Sequence, residues 1–79
     1  MTLRPEAIAI LQVFIDKGCK RDDIIHFTEF GKAIVWEAGS IKEEGTRNGF
    51  QELVEGKYVV EYNAGLGITA KGLKEVKGN

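Results

Sequence analysis

One cysteine, Cys19, and one histidine, His26, are all that this 79-residue chain holds of the side chains that most often bind zinc or form bridges. No disulfide can close within the chain, and the pair falls short of a structural zinc set, so neither staple supports the fold and no metal or cofactor is expected. Long apolar runs are missing too: nothing approaches the roughly 20 residues needed to cross a bilayer. Pro5 and Glu6 interrupt the start of the chain, and no small-residue cleavage site follows, so a cytoplasmic protein is expected instead of an exported or membrane-bound one. Charge of one sign is also missing, with 11 Lys and Arg against 12 Asp and Glu for a net charge of −1. Catalytic patterns are equally scarce. Gly65-x-Gly67 precedes strand residues instead of a helix, which is wrong for a phosphate loop, and no nucleophile stands near a histidine and an acid. Asp22-Asp23 reads as a surface pair. No catalytic residue is expected, and the chain is not expected to be an enzyme.

What the chain does contain is an ordered series of elements, expected to form one domain over residues 1–79. Pro5 suits a first helical turn, and Ala7, Ile8, Leu11, Phe14 and Ile15 form an apolar stripe that Gly18 closes, predicting a helix over about Pro5 to Lys17. The run Ile24 to Phe27 reads as a short strand with Ile25 and Phe27 on one face and Ile24 with His26 on the other. His26 is expected to be a half-exposed structural residue. Cys19 is read as a plain loop or helix-end cysteine; Lys17, Lys20 and Arg21 nearby would lower its pKa if it were a reactive thiol.

Thr28 can cap a second helix over about Glu29 to Glu37, carrying Phe30, Ala33, Ile34, Val35 and Trp36. Ala38-Gly39-Ser40 then reads as a turn, and Ser40 with Glu43 fits a capping box that opens a third helix at Ile41. Two helices joined by so short a turn form a helix-turn-helix pattern. An alternative start places Glu44-Gly45-Thr46 in the turn and the cap at Thr46. Gly45 and Gly49 each cost a helix interior about 1 kcal/mol against Ala, so close approach of helix two, a partner chain or a ligand backbone is expected on their flank.

The most informative segment is Gln51 to Gly72. Phe50, Leu53 and Val54 share one face of the third helix, which ends near Glu55, and Gly56 is placed to take a left-handed conformation. Tyr58 to Tyr62 and Leu66 to Thr69 then read as two antiparallel strands around Asn63-Ala64-Gly65, with Gly65 supplying a positive φ. Tyr58 and Tyr62 share a strand face with Val60. Thr69 is expected to cap a short final helix, Ala70 to Val76, with Gly72 allowing it to pack closely.

These features resemble the winged helix-turn-helix superfamily of bacterial and archaeal regulators, in the pattern of the multiple-antibiotic-resistance and phenolic-acid-decarboxylase types of repressor. The likeness rests on Leu53, on Gly56 in Val54-Glu55-Gly56-Lys57-Tyr58-Val59, and on Ile68-Thr69-Ala70-Lys71-Gly72. It departs from the usual pattern in placing Gly56 before Lys57. The fold it implies is α+β with the order α-β-α-α-β-β-α: three to four helices, a short N-terminal strand and a C-terminal β-hairpin wing. The function it implies is a small DNA-binding transcriptional regulator; a homodimer is expected as well, because a chain of 79 residues has only a few kcal/mol of stability to spare.

Centring the buried stripe of the third helix on Phe50 turns Glu44, Gly45, Asn48, Gln51, Glu52 and Glu55 outward, with Lys42 and Arg47 toward the edges. That face is acidic, a disadvantage for binding duplex DNA, where phosphate neutralisation dominates. Its polar side chains nevertheless suit DNA. Arg47, Asn48 and Gln51 can pair with base edges, Thr46 can touch a phosphate or a thymine methyl, and Lys42, Lys57, Lys71, Lys74 and Lys77 can line the footprint. The expected contact set is Lys42, Thr46, Arg47, Asn48, Gln51, Lys57 and Lys71, with double-stranded DNA as partner. The alternative is a winged-helix module that binds a partner protein without sequence-specific DNA binding, for which solvent-facing Trp36, Tyr58 and Tyr62 would be the sign.

Overall fold

The computed structural model describes residues 3–37 and 40–77, the side chains of Val76 and Lys77 excepted. Its architecture is α+β. Helix α1 spans Pro5–Asp16, strand β1 Ile24–His26, and single helical turns Phe27–Glu29 and Gly31–Ala33 follow. The short strands β2, Trp36–Glu37, and β3, Ser40–Ile41, precede helix α2, Glu44–Glu55. Strands β4, Val59–Tyr62, and β5, Gly65–Ile68, lead to helix α3, Ala70–Lys77. One antiparallel sheet has the order β1-β5-β4, and β2 pairs with β3 in a second.

Both long helices end in the same hydrogen-bonded motif. At α1 the Cys19 amide donates to Phe14 O at 2.9 Å and the Gly18 amide to Ile15 O at 3.0 Å, with Gly18 at φ +69°. Gly18 thus closes the helix as the sequence predicts. At α2 the Tyr58 amide donates to Leu53 O at 2.9 Å and the Lys57 amide to Val54 O at 3.2 Å. Here the left-handed residue is Lys57, at φ +67°, while Gly56 keeps a right-handed φ of −80°. The expectation of a left-handed Gly56 is therefore corrected by one residue. Glycine is needed at 56 for space, because the Tyr58 ring lies against it.

The second predicted helix does not form. Gly31 takes φ +60°, and Ile34 extends the chain at φ −136° and ψ 110°. The reason lies in the core. Phe27, Phe30 and Ile34 are all buried, and Trp36 stacks on Phe27 with ring centroids 4.4 Å apart and planes within 5°. A continuous helix would hold residues 27 and 36 about 13 Å apart along its axis, so this stack requires the chain to turn back. The β-branched pair Ile34-Val35 favours the extended path. Thr28 accordingly sits in a helical turn instead of capping an α-helix. Without that helix there is no helix-turn-helix among the described residues; of the expected turn, Ala38 and Gly39 lie outside them.

Ser40 belongs to β3, where its hydroxyl lies 3.5 Å from Glu37 O, so the Ser40–Glu43 capping box is also replaced. Helix α2 starts at Glu44, between the two expected positions, with Glu43 extended ahead of it and no side-chain cap. Glu44 in its first turn complements the helix dipole.

Gly45 and Gly49 are accounted for by α1. A Cβ on Gly49 would stand 2.8 Å from the Ala7 amide nitrogen, and one on Gly45 3.0 Å from a Glu6 carboxylate oxygen. The close neighbour is thus the first helix, an element outside the expected set. Phe14 meets Phe30 edge-on at 5.5 Å, and Ile10, Leu11, Leu53, Val59, Leu66 and Ile68 complete the core beneath the sheet.

The hairpin loop is Asn63-Ala64, shorter than expected, since Gly65 already pairs with Tyr62 and His26 and has no positive φ. Its missing side chain has another cause: a Cβ there would run into the Ile25 carbonyl oxygen of β1. The alternation read for the first strand holds, with Ile25 and Phe27 buried and Ile24 and His26 exposed. Thr69 closes the domain as predicted. Its Oγ1 accepts from the Gly72 amide at 3.1 Å and lies 2.8 Å from Lys57 O and 2.9 Å from Tyr58 O, where its single proton serves one carbonyl at a time. Gly72 packs against the Tyr58 backbone, leaving no room for a Cβ.

Candidate functional site

Helix α2 buries Thr46, Gly49 and Leu53, with Phe50 and Val54 half-buried beside them. The buried stripe centres near Leu53, about 70° round the helix from the Phe50-centred expectation. Rotation follows from the packing just described, because α1 presses on Gly45 and Gly49 and turns that flank inward. The outward face is therefore Glu44, Arg47, Asn48, Gln51 and Glu55. Thr46, only 7% exposed, leaves the proposed contact set. Arg47 moves from the edge into the face.

Asn48, Gln51 and Lys71 come together with residues outside the expected contact set. They line one groove of about 640 Å³ with Leu3 and Arg4 from the segment that enters α1, Glu52 and Glu55 from α2, and Gly56 and Tyr58 from the turn after it. The Arg4 amide donates to Glu52 Oε1 at 3.1 Å, and the guanidinium Nε lies 3.9 Å from Glu52 Oε2. Gln51 Nε2 donates to Glu55 Oε1 at 3.1 Å. Lys71 Nζ donates to Gly56 O at 2.7 Å and stands 4.5 Å from the centroid of the Tyr58 ring. That carbonyl belongs to the C-terminal end of α2, where the helix dipole favours a cation. Arg4 reaches α2 only through tertiary packing, 48 residues from Glu52 in sequence, and Tyr58 lines the groove instead of the strand face expected for it.

The remaining candidates do not join this groove. Lys42 follows β3, with its ammonium 3.4 Å from Glu37. Lys57 is exposed at the turn ending α2, and Lys74 on α3; the side chain of Lys77 lies outside the described residues. Among the described residues, the Arg47 guanidinium has no ion pair.

The segment that forms the β4–β5 hairpin differs in character. From Tyr58 to Ala70 it contains no lysine or arginine, and its one charge is Glu61. Ile24, Gly67 and Val60 face one another across the three strands. Ile24 is 50% exposed, Val60 46% and Tyr62 43%, and a Cβ on Gly67 would meet the Tyr62 ring at 2.8 Å. Tyr62 thus leans over bare backbone. Tyr58 precedes β4 and turns its ring to Gly56, so the two tyrosines do not face solvent together.

Cys19 is half-buried, and burial pushes its thiol pKa up, Asp23 and Glu29 acting in the same direction against Lys17. The lowering expected from the basic neighbours is reversed. Among the described residues, no group of three or more His, Cys, Asp or Glu is placed to hold a metal ion. No helix there is long and apolar enough to cross a membrane. Compared with known protein families, curated proteins and solved structures, the chain matches none.

Proposed function

We propose that this chain is a winged-helix domain that binds double-stranded DNA through the outward face of α2, as a small transcriptional regulator or DNA-associated accessory protein. The observation that carries this reading is Arg47, exposed on that face beside Asn48 and Gln51 and without an ion pair among the described residues. All three side chains can address base edges. The sheet order β1-β5-β4, with α2 leading into the hairpin and Thr69 closing it, supports the winged architecture. A pair of helical turns stands where that architecture would place its second helix.

Few cations serve this face. Lys42, Arg47 and Lys57 are the nearest in sequence, and Glu44 and Glu55 oppose them. One copy then neutralises only about three phosphates, which predicts a log–log salt slope near −3, and a homodimer about twice that. Fluorescence anisotropy with mixed duplex fragments at about 50 mM salt tests the reading, with binding expected to weaken along such a slope. Arg47→Ala should weaken it about tenfold. Lys17→Ala, about 15 Å along α1 from the contact with Gly49, should leave it unchanged. A folded sample that binds no duplex under these conditions refutes the proposal.

A protein partner is the second reading, favoured by the cation-free wing and its exposed row of Ile24, Val60 and Tyr62. An apolar patch of this kind suits protein contact better than phosphate.

A further inference from the structure

The groove beside α2 carries charges that the fold leaves unmatched. At about 640 Å³ it has the size of a small-molecule site, and its walls combine charged, amide, aromatic and aliphatic side chains. Glu52 is matched by Arg4, through the backbone amide at 3.1 Å and the guanidinium at 3.9 Å. Glu55 is not matched by a cation: its hydrogen-bond partner is the neutral amide of Gln51, and it has no ion pair among the described residues. Lys71 is likewise unmatched by a carboxylate, its ammonium resting on the Gly56 carbonyl oxygen and the Tyr58 ring. One anion from α2 and one cation from α3 therefore line a single groove without neutralising each other. The guanidinium of Arg4 adds further donors, since its 3.9 Å approach to Glu52 is too long to be a hydrogen bond.

We propose that this groove binds a small zwitterion of the α-amino acid class with an apolar side chain. The ligand's ammonium pairs with Glu55 and the Gln51 amide oxygen, its carboxylate with Lys71 and Arg4, and its side chain lies against Leu3 and Tyr58. Both charges of the ligand are needed, because each answers one unmatched charge of the groove. The inference does not depend on DNA binding, and its test uses no DNA.

The test is an NMR titration of the full isotope-labelled chain with free L-phenylalanine and L-leucine to about 10 mM. Saturable shifts are expected at the amides of Arg4, Asn48, Gln51, Glu55, Tyr58 and Lys71. N-acetyl-phenylalanine, which lacks the ammonium, and phenylalanine amide, which lacks the carboxylate, should each bind at least about tenfold more weakly. Glu55→Gln and Lys71→Met should each weaken binding of the free amino acids about tenfold, while Lys71→Arg keeps it within about threefold. The unliganded spectra report whether each variant is folded. Glu55→Gln, at an exposed position, keeps the test decisive if Lys71→Met disturbs α3. Absence of saturable shifts, equal binding of the blocked analogues, or unchanged binding by folded Glu55→Gln would overturn the proposal.

Discussion

The ring of Tyr58 occupies the space that a side chain on Gly56 would need: a Cβ there would lie 2.6 Å from Tyr58 Cε2. This contact explains an unusual division of labour at the end of α2. Gly56 supplies room, and Lys57 bears the left-handed conformation at φ +67° that glycine adopts more cheaply. Lys57→Gly should therefore stabilise the fold by about 0.5–1 kcal/mol, the relief of strain being partly offset by a more flexible unfolded chain. Urea denaturation reads this as a higher midpoint at constant slope. A lower midpoint would mean that the lysine side chain contributes more than its backbone costs.

The two glycines of α2 should respond differently to alanine. At Gly49 the obstacle is the Ala7 amide nitrogen at 2.8 Å, part of a helix backbone that cannot step aside, so Gly49→Ala should cost about 1–3 kcal/mol. At Gly45 the nearest atom is the end of the flexible Glu6 side chain at 3.0 Å. Gly45→Ala should be neutral or gain up to about 1 kcal/mol from helix propensity. Thermal unfolding of both variants checks the contrast, and equal losses would contradict it.

Thr69 joins three backbone groups through one hydroxyl, within hydrogen-bond reach of Lys57 O, Tyr58 O and the Gly72 amide. Thr69→Val retains shape and β-branching but removes these bonds. It should destabilise the domain by about 1–2 kcal/mol, and amide exchange should rise first in α3. Exchange that rises uniformly across the domain would show that α3 has no separate dependence on this cap.

Cys19 should be a slow nucleophile. Burial raises its pKa, with Asp23 and Glu29 assisting, so the native state favours the neutral thiol. Alkylation by iodoacetamide at about pH 8 should be slower in the folded than in the urea-unfolded chain, and Asp23→Asn should recover part of the difference. The sign for stability follows. The contribution from the neutral thiol is fully present below the unfolded-state pKa and is lost as pH rises through the raised folded one. Equal alkylation rates in the two states would remove this account.

Helix α1 with its Gly18 closure, the strand around Ile25, the hairpin and the Thr69 cap were legible because each depends on residues within a turn or two of one another. The same local signals misplaced the segment from Glu29 to Ile41. Phe30, Ala33 and Ile34 have helical spacing, and Ser40 with Glu43 has the spacing of a cap, yet the chain bends at Gly31 and extends from Ile34. Burial of Phe27 beneath Trp36 and Phe50 is served by that path. Of the candidate contacts, Asn48 and Gln51 were legible as outward residues of α2, whereas the exposure of Arg47 within that face, the burial of Thr46 and the meeting of Arg4 with Tyr58 in one groove were not.

By itself, then, the sequence determined the α+β class, the order of its main helices and strands, and the residues that start and stop most of them, since capping, alternation and turn chemistry act over a few residues. Tertiary structure alone decided that no α-helix forms between β1 and α2, which side of α2 meets α1, and which charges share a groove with Tyr58. Those outcomes turn on side chains far apart in the chain competing for one small core, a competition that local spacing does not record.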